Sequence, residues 1–264
     1  MIRKSILATV MAFGMTSGAA LASGGEGHVE DYSFSFEGPF GIYDKAQLRR
    51  GLQIFQEVCS ACHGLRQVAF RTLGDRGGPE LGPDDVKAVA AEFEVADTGD
   101  DAEPGDTRPA IPADKFPTVT SANAPDLSLM AKARAGFHGP GGLGINQILK
   151  GMGGAEYIAS ILTGYTGEEK EEAGVTLYEN KAFSAGWISM PPPIEDELVE
   201  FADGSPNDLH ALSTDVAAFL MWTAEPKLVA RKKTGFLVVL VTALLTVLLY
   251  LSNKQLWARV KRKA

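Results

Sequence analysis

Apolar residues along the chain fall into three kinds of run. The first is unbroken. Thr234 to Ser252, TGFLVVLVTALLTVLLYLS, holds no charged residue over 19 positions. As a helix rising ~1.5 Å per residue it covers roughly 28 Å, close to a bilayer's hydrocarbon thickness. It lacks the polar face of a helix in a soluble core. Arg231, Lys232 and Lys233 precede it, Lys254, Arg259, Lys261, Arg262 and Lys263 follow, and Tyr250 and Trp257 suit the interface. The second run, Ile6 to Met15, is too short to span. It follows Arg3 and Lys4 and leads to Ala20-Leu21-Ala22, the form of a secretory leader cleaved after Ala22. A mitochondrial presequence would be richer in Arg, so the leader reads as bacterial.

The third kind is periodic. Leu48, Leu52, Phe55 and Val58 recur at helical spacing, with Asp44 placed to cap and Gln47 three residues on. Gly51, one turn before Phe55, leaves room for a crossing helix. A second helix is predicted from about Asp208 to Thr223, with Ser213 or Thr214 as the cap of a shorter version. Its Val216, Phe219, Leu220 and Trp222 form an apolar side expected to pack on the Gly51–Phe55 helix, and Glu225-Pro226 ends it. Strand patterns are few. The expectation is a mostly α fold in three parts: a leader at 1–22, an exported body at 23–226, and a membrane anchor with a basic cytoplasmic tail at 227–264.

Charge changes the picture of the body. The net charge of −8 averages two unlike regions. Nine Lys and Arg residues lie from Lys227 onward and two in the leader, leaving 14 for the body against all 33 acids, a net of about −19. Acids cluster at 97–106, 168–172 and 195–203. This is either a solvated surface or a steering field for a basic partner. It has the wrong sign for nucleic acid. The acidic, Pro-rich stretch 97–117 cannot build a core alone; it is a loop wrapped on the body or a loose acidic arm. The stretch 136–154 is rich in glycine but is no phosphate loop, having no G-K-[ST].

Candidate chemistry starts at "VCSACHGL", residues 58–65, which holds the chain's only two cysteines. A disulfide between Cys59 and Cys62 would staple almost nothing. A redox dithiol belongs at a helix start after a strand, whereas the segment before Cys59 reads as helical. Zinc needs four ligands, and His28, His138 and His210 have no ligand spacing. C-x-x-C-H is the c-type haem attachment pattern. Two thiols one turn apart add to the two vinyl groups on one porphyrin edge, and the next residue presents an imidazole to the iron. Cys59 and Cys62 are thus expected as thioether links to one covalent haem c, and His63 as the proximal axial ligand.

The sixth ligand is open to Met130, Met152, Met190, Met221 or a histidine. Met130, in LSLMAKAR, and Met221 lie on helical runs and read as packing, and Met152 lies in the glycine-rich stretch. Met190 precedes Pro191-Pro192-Pro193, an extended, stiff backbone that presents the preceding side chain with little freedom left. Met190 is the choice, with a methionine in a rigid turn as the plain alternative.

At this point the sequence resembles the cytochrome c1 family, the haem subunit of the cytochrome bc1 complex (ubiquinol–cytochrome c reductase), of alphaproteobacterial type. The resemblance rests on "GLQIFQEVCSACHGL", "RPAIPADKFP", "NAPDLSLMAKARAG", "YIASILTGYTG", "WISMPPPI" and "DVAAFLMWTAEP", followed by Arg231-Lys232-Lys233. It covers nearly the whole body and the anchor. It implies a cytochrome c-like haem domain with long loop insertions and one C-terminal transmembrane helix, and Met190 as distal ligand. It also implies Arg134 on a haem propionate, which suits a bidentate guanidinium, and Tyr157 near the haem. Some bacterial relatives carry a disulfide in this domain; this chain has no cysteine left for one. The resemblance further implies an electron relay without acid–base catalysis, taking electrons from a Rieske iron–sulfur protein and giving them to a basic soluble or anchored cytochrome c. Cytochrome b and membrane lipid are the other partners, within a dimeric complex of a bacterial inner membrane whose haem domain lies in the periplasm. The rivals are another membrane-anchored monohaem cytochrome, an enzyme with an open haem iron, and a tethered dithiol oxidoreductase.

Overall fold

A computed structural model describes residues 27–99, 102–120, 123–134, 151 and 153–261. The leader expected at 1–22, most of the glycine-rich stretch, His138 and Met152 lie outside the described residues.

Helix α1, Lys45–Glu57, begins where the sequence placed its cap: Asp44 Oδ1 accepts from the amides of Ala46 at 2.9 Å and Gln47 at 3.4 Å. Its buried side carries Leu48, Gly51, Leu52, Ile54 and Phe55. Between it and the C-terminal end of the body come α2, Pro83–Ala91, the short α3, Met130–Ala133, and α4, Gly154–Thr163. Helix α5, Leu209–Ala224, follows the expected range by one residue at each end. Its cap is Asp208, which accepts from His210 and Ala211; Thr214 instead bonds back to the His210 and Ala211 carbonyls inside the helix.

Helices α1 and α5 cross at Gly51. A Cβ there would lie 2.2 Å from the Asp215 carbonyl oxygen and 2.6 Å from Phe219 Cβ, so only hydrogen fits. Beside the crossing, Arg50 holds the nearly buried Asp215 through two bonds of 2.5 and 3.2 Å. A second close approach seats α4 on α3, where a Cβ on Gly154 would lie 1.7 Å from the Ala131 carbonyl oxygen. Trp222, Phe55, Phe70, Phe219 and Leu48 are the largest fully buried side chains. Each contributes about 1.5–3 kcal/mol by leaving water.

The acidic stretch after α2 is wrapped on the body. Strands β1, Glu94–Ala96, and β2, Thr107–Pro109, pair antiparallel. Arg108 then closes on Asp114 through bonds of 2.6 and 3.1 Å, and Phe116 is buried against Phe70 and Phe55.

Strand content exceeds the sequence expectation. A three-stranded antiparallel sheet joins β3, Tyr165–Glu172, β4, Val175–Asn180, and β5, Trp187–Ile188. The link between β3 and β4 is Ala173-Gly174, both at positive φ (53° and 79°), as a tight type I′ hairpin turn requires. Strand β3 reads YTGEEKEE and is mostly exposed on both faces. It therefore has no alternation of apolar and polar residues to read.

Helix α6, Leu228–Lys261, leaves the body after Pro226. Leu228 is still in the core, but from Thr234 to Ala258 the side chains are exposed. The uncharged stretch of α6 from Thr234 onward is not buried against the body. Among the described residues α6 is the one helix long and apolar enough to cross a membrane, and it contains the expected 234–252 span. The architecture is thus mostly helical with one C-terminal apolar helix.

Candidate functional site

The CxxCH segment forms the end of α1. After Val58 the chain tightens into a 3-10 turn, Cys59–Ala61, in which the Cys59 carbonyl accepts from Cys62 N at 3.1 Å and His63 N at 2.9 Å. The turn brings Cys59, Cys62 and His63 together. The two cysteines are not bonded to each other; Cys59 is half-buried and Cys62 exposed. Burial pushes the Cys59 thiol up to about 12, with neighbouring Cys62 adding to the effect. Cys59 packs on the rim of the core, on the cluster that Leu127, Met130 and Met190 also touch.

His63 is held by a strap from a distant part of the chain. Its Nδ1 lies 2.7 Å from the Pro125 carbonyl oxygen. A carbonyl can only accept, so Nδ1 carries the proton and donates. In the neutral ring the lone pair is then on Nε2, the tautomer a metal ligand needs. The strap continues in register. Leu127 N donates to the Gly64 carbonyl at 2.9 Å, Arg66 N to Asp126 Oδ2 at 2.9 Å, and Gln67 N to Ser128 Oγ at 3.0 Å. Behind the turn, Gly64 lies on Pro117, where a Cβ would come within 2.5 Å of the carbonyl oxygen. A cleft of about 200 Å³ opens beside the strap, lined by Arg66, Gln67, Asp126, Leu129, Met130 and Ala133.

Met190 follows β5 and is half-buried against the core. Its backbone is fastened by Tyr165, whose hydroxyl donates to the Met190 carbonyl at 3.0 Å and reaches the Pro191 carbonyl at 3.5 Å. Burial pushes that phenol above its ordinary range, so it stays a donor. Met130 and Met221 are also half-buried on the core, each on a helix as the sequence indicated.

Arg134 and Tyr157 come together because Gly154 lets α4 start against the end of α3. Arg134 is exposed and ends α3 in extended conformation; Tyr157 is half-buried on the first turn of α4. Burial raises the Tyr157 hydroxyl, and the Arg134 charge pulls it the other way. Cys59 and Met190 pack on one core cluster, which Ala155 and Ile158 beside Tyr157 also enter.

Sequence reasoning missed Pro125, Asp126, Ser128 and Tyr165. The signal for the first two was the turn-like Asn-Ala-Pro-Asp, and Ser128 follows two residues later in the same stretch, noted only as a family mark. No local signal pointed to Tyr165.

The donor set suits a covalently held haem better than its rivals. Among the described residues no group of three or more His, Cys, Asp or Glu side chains is placed to hold a metal ion, so a CxxC zinc site is not completed there. The CxxC turn ends a helix instead of beginning one after a strand, and the described strands are all antiparallel. That is not the setting of a dithiol oxidoreductase.

The sequence profile of the Cytochrome C1 family matches residues 34–260. The chain belongs to the cytochrome c1 family. It is 51% identical to cytochrome c1 of Cereibacter sphaeroides, over 100% of this chain and 98% of that one. Against the mitochondrial cytochrome c1 heme protein of Saccharomyces cerevisiae it is 36% identical, over 89% of this chain and 74% of the yeast protein. A protein of Bradyrhizobium diazoefficiens named cytochrome b/c1 is 39% identical over 85% of this chain and 35% of its own length. The cytochrome c1 match thus takes in the CxxCH turn, the strap, Met190 and nearly all of α6.

Proposed function

We propose that this chain is the haem-bearing electron-transfer subunit of a cytochrome bc1 complex, working beside cytochrome b. It takes one electron at a time from a Rieske iron–sulfur protein and passes it to a basic cytochrome c. The observation that carries the reading is the pinned His63: a CxxCH turn whose imidazole is held by a backbone carbonyl, in a chain of this family.

One haem c would be held by Cys59 and Cys62 through thioether bonds, and His63 Nε2 and the Met190 thioether would supply the donors to its iron. Bound there, the haem would supply a one-electron centre. The chain's own residues do the rest. Pro125 keeps the His63 ring oriented, so no ligand has to move between redox states. Tyr165 holds the Met190 backbone at the start of the stiff Pro191–Pro193 segment. The apolar rim formed by Val58, Leu127 and Met130 keeps water from the site, which favours the less charged reduced form. Arg134 would pair with a propionate, and Tyr157 would line the haem's surroundings. No side chain carries out proton transfer. The leader exports the body to the periplasm, and α6 anchors it in the inner membrane with its basic tail in the cytoplasm.

A pyridine haemochrome assay on the purified chain tests the core of this. One covalently bound haem per chain is expected, lost in a Cys59→Ala, Cys62→Ala double variant. A colourless chain from cells able to mature c-type cytochromes would overturn it. Copurification with cytochrome b and a Rieske protein separates the bc1 reading from a free-standing anchored cytochrome, and a ferrous haem that ignores carbon monoxide separates it from an open-iron enzyme.

A further inference from the structure

Electron transfer needs nothing from two apolar side chains at the membrane end of the body. Phe40 is 73% exposed and Ile42 57% exposed. They lie on a loop between buried Phe36 and buried Tyr43, and Gly38 to Tyr43 carries no charge.

The loop has one built shape. Glu37 N donates to the Phe34 carbonyl at 3.1 Å and Ile42 N to the Ser35 carbonyl at 3.0 Å. The Glu37 side chain turns back to accept from Phe34 N at 2.9 Å. Gly41 packs so closely that a Cβ would lie 1.9 Å from the Glu37 carbonyl oxygen. The two side chains are therefore presented outward by a closed hydrogen-bonded turn.

The loop is fastened to α6 at two heights. Lys232 Nζ donates to the carbonyls of Phe36 and Gly38. Further along, the Phe40 ring meets the Phe236 ring edge-on, with centroids 5.4 Å apart and planes at 71°. The step from Lys232 to Phe236 is about 6 Å along a helix axis. Arg231, Lys232 and Lys233 form the basic collar that sits at lipid headgroups, and Phe236 lies in the uncharged run just inside it. A ring in contact with Phe236 stands at the same depth, so whatever covers Phe236 covers its remaining faces.

We propose that the Phe36–Ile42 loop is a second membrane contact, with Phe40 and Ile42 inserted among phospholipid chains at the leaflet boundary beside α6. The anchor then holds the body by two points, and the loop limits how the body tilts on the bilayer. This rests on α6 crossing the membrane.

The test places a photoreactive benzophenone at single positions of the full chain in cell membranes: Phe40→p-benzoylphenylalanine, the same change at Phe236, and the same at Ile111, which is 52% exposed on the body. Haem content reports that each variant has folded. After irradiation, mass spectrometry of the purified chain is expected to find phospholipid adducts at 40 and 236 and none at 111. A cross-link from 40 to another polypeptide, with lipid still found at 236, means that a protein partner covers the loop and overturns the proposal. No adduct at 40 with lipid at 236 leaves the loop in water and overturns it too. If neither 40 nor 236 captures lipid, the reading of α6 as a span fails first and takes the loop with it.

Discussion

His63 and Met190 differ in how the backbone holds them. The imidazole is pinned through its own ring nitrogen, whereas the thioether is positioned only through its carbonyl, by Tyr165. Loss of Met190 should therefore leave the haem attached and change what the iron experiences. Met190→Leu is expected to lower the potential by on the order of 0.1 V or more, within the ~0.8 V that axial ligands span, and to let the ferrous form bind carbon monoxide. Redox titration and a carbon monoxide difference spectrum check both. Tyr165→Phe removes one hydrogen bond, worth about 0.5–1.5 kcal/mol. It should leave the potential nearly in place while raising cyanide affinity of the ferric form about 2- to 10-fold, because the Met190 segment lets go more readily. An unchanged affinity would show that the prolines alone hold the ligand. The CxxCH turn stood out in the sequence as five consecutive residues, and the structure gathers them in one turn at the end of α1. The partners Pro125 and Tyr165 did not, since they lie 62 residues from His63 and 25 from Met190 and make their contacts by fold alone.

At the scale of elements, the α1–α5 crossing was legible and the β3–β4 hairpin was not. Gly51 stood on the apolar side of a capped, periodic helix, and an inward-facing glycine there has few uses other than a close crossing. Strand β3 has no buried face, so its sequence carries a charge pattern and no period. The crossing also makes the sharper prediction. Gly51→Val must push α1 off Asp215 and Phe219, and overpacking of this kind costs about 1–3 kcal/mol. A lowered melting temperature with an intact haem spectrum in the folded fraction is expected. Asp215→Leu leaves the half-buried Arg50 without its two acceptors and should cost about 3–5 kcal/mol, the penalty for breaking a buried pair. Denaturant melts of Asp215→Leu and the double variant Arg50→Met, Asp215→Leu should show the second change restoring part of the loss.

For the molecule as a whole, the body of about −19 should speed encounter with a basic cytochrome c. Stopped-flow reduction of that partner is expected to slow steeply as ionic strength rises, and a flat dependence would remove the steering idea. The junction of body and anchor has its own acid limit. Burial acts to raise the Glu225 carboxyl, but Arg231 and Lys132 outweigh it and hold it below the usual range. A lowered carboxylate stabilises above its unfolded value of about 4.3, and that contribution is lost as pH falls through the lower folded value. Hydrogen-exchange protection around Tyr43 and Glu225 should therefore fall below about pH 4.3, and Glu225→Gln should remove that acid-dependent part. The same junction bears on assembly. Tyr43 donates to the Glu225 carbonyl at 3.1 Å, Lys232 reaches back to Gly38 at 2.6 Å, and Leu228 fills a place in the core. Synthesis runs from the amino end, so the opening segment must wait for nearly two hundred further residues before its latch exists. A nascent chain stalled ahead of Glu225 lacks the carbonyl that Tyr43 bonds, the Lys232 that closes on Phe36 and Gly38, and the Leu228 that fills the core, so the latch end of that segment stays open in every unfinished copy.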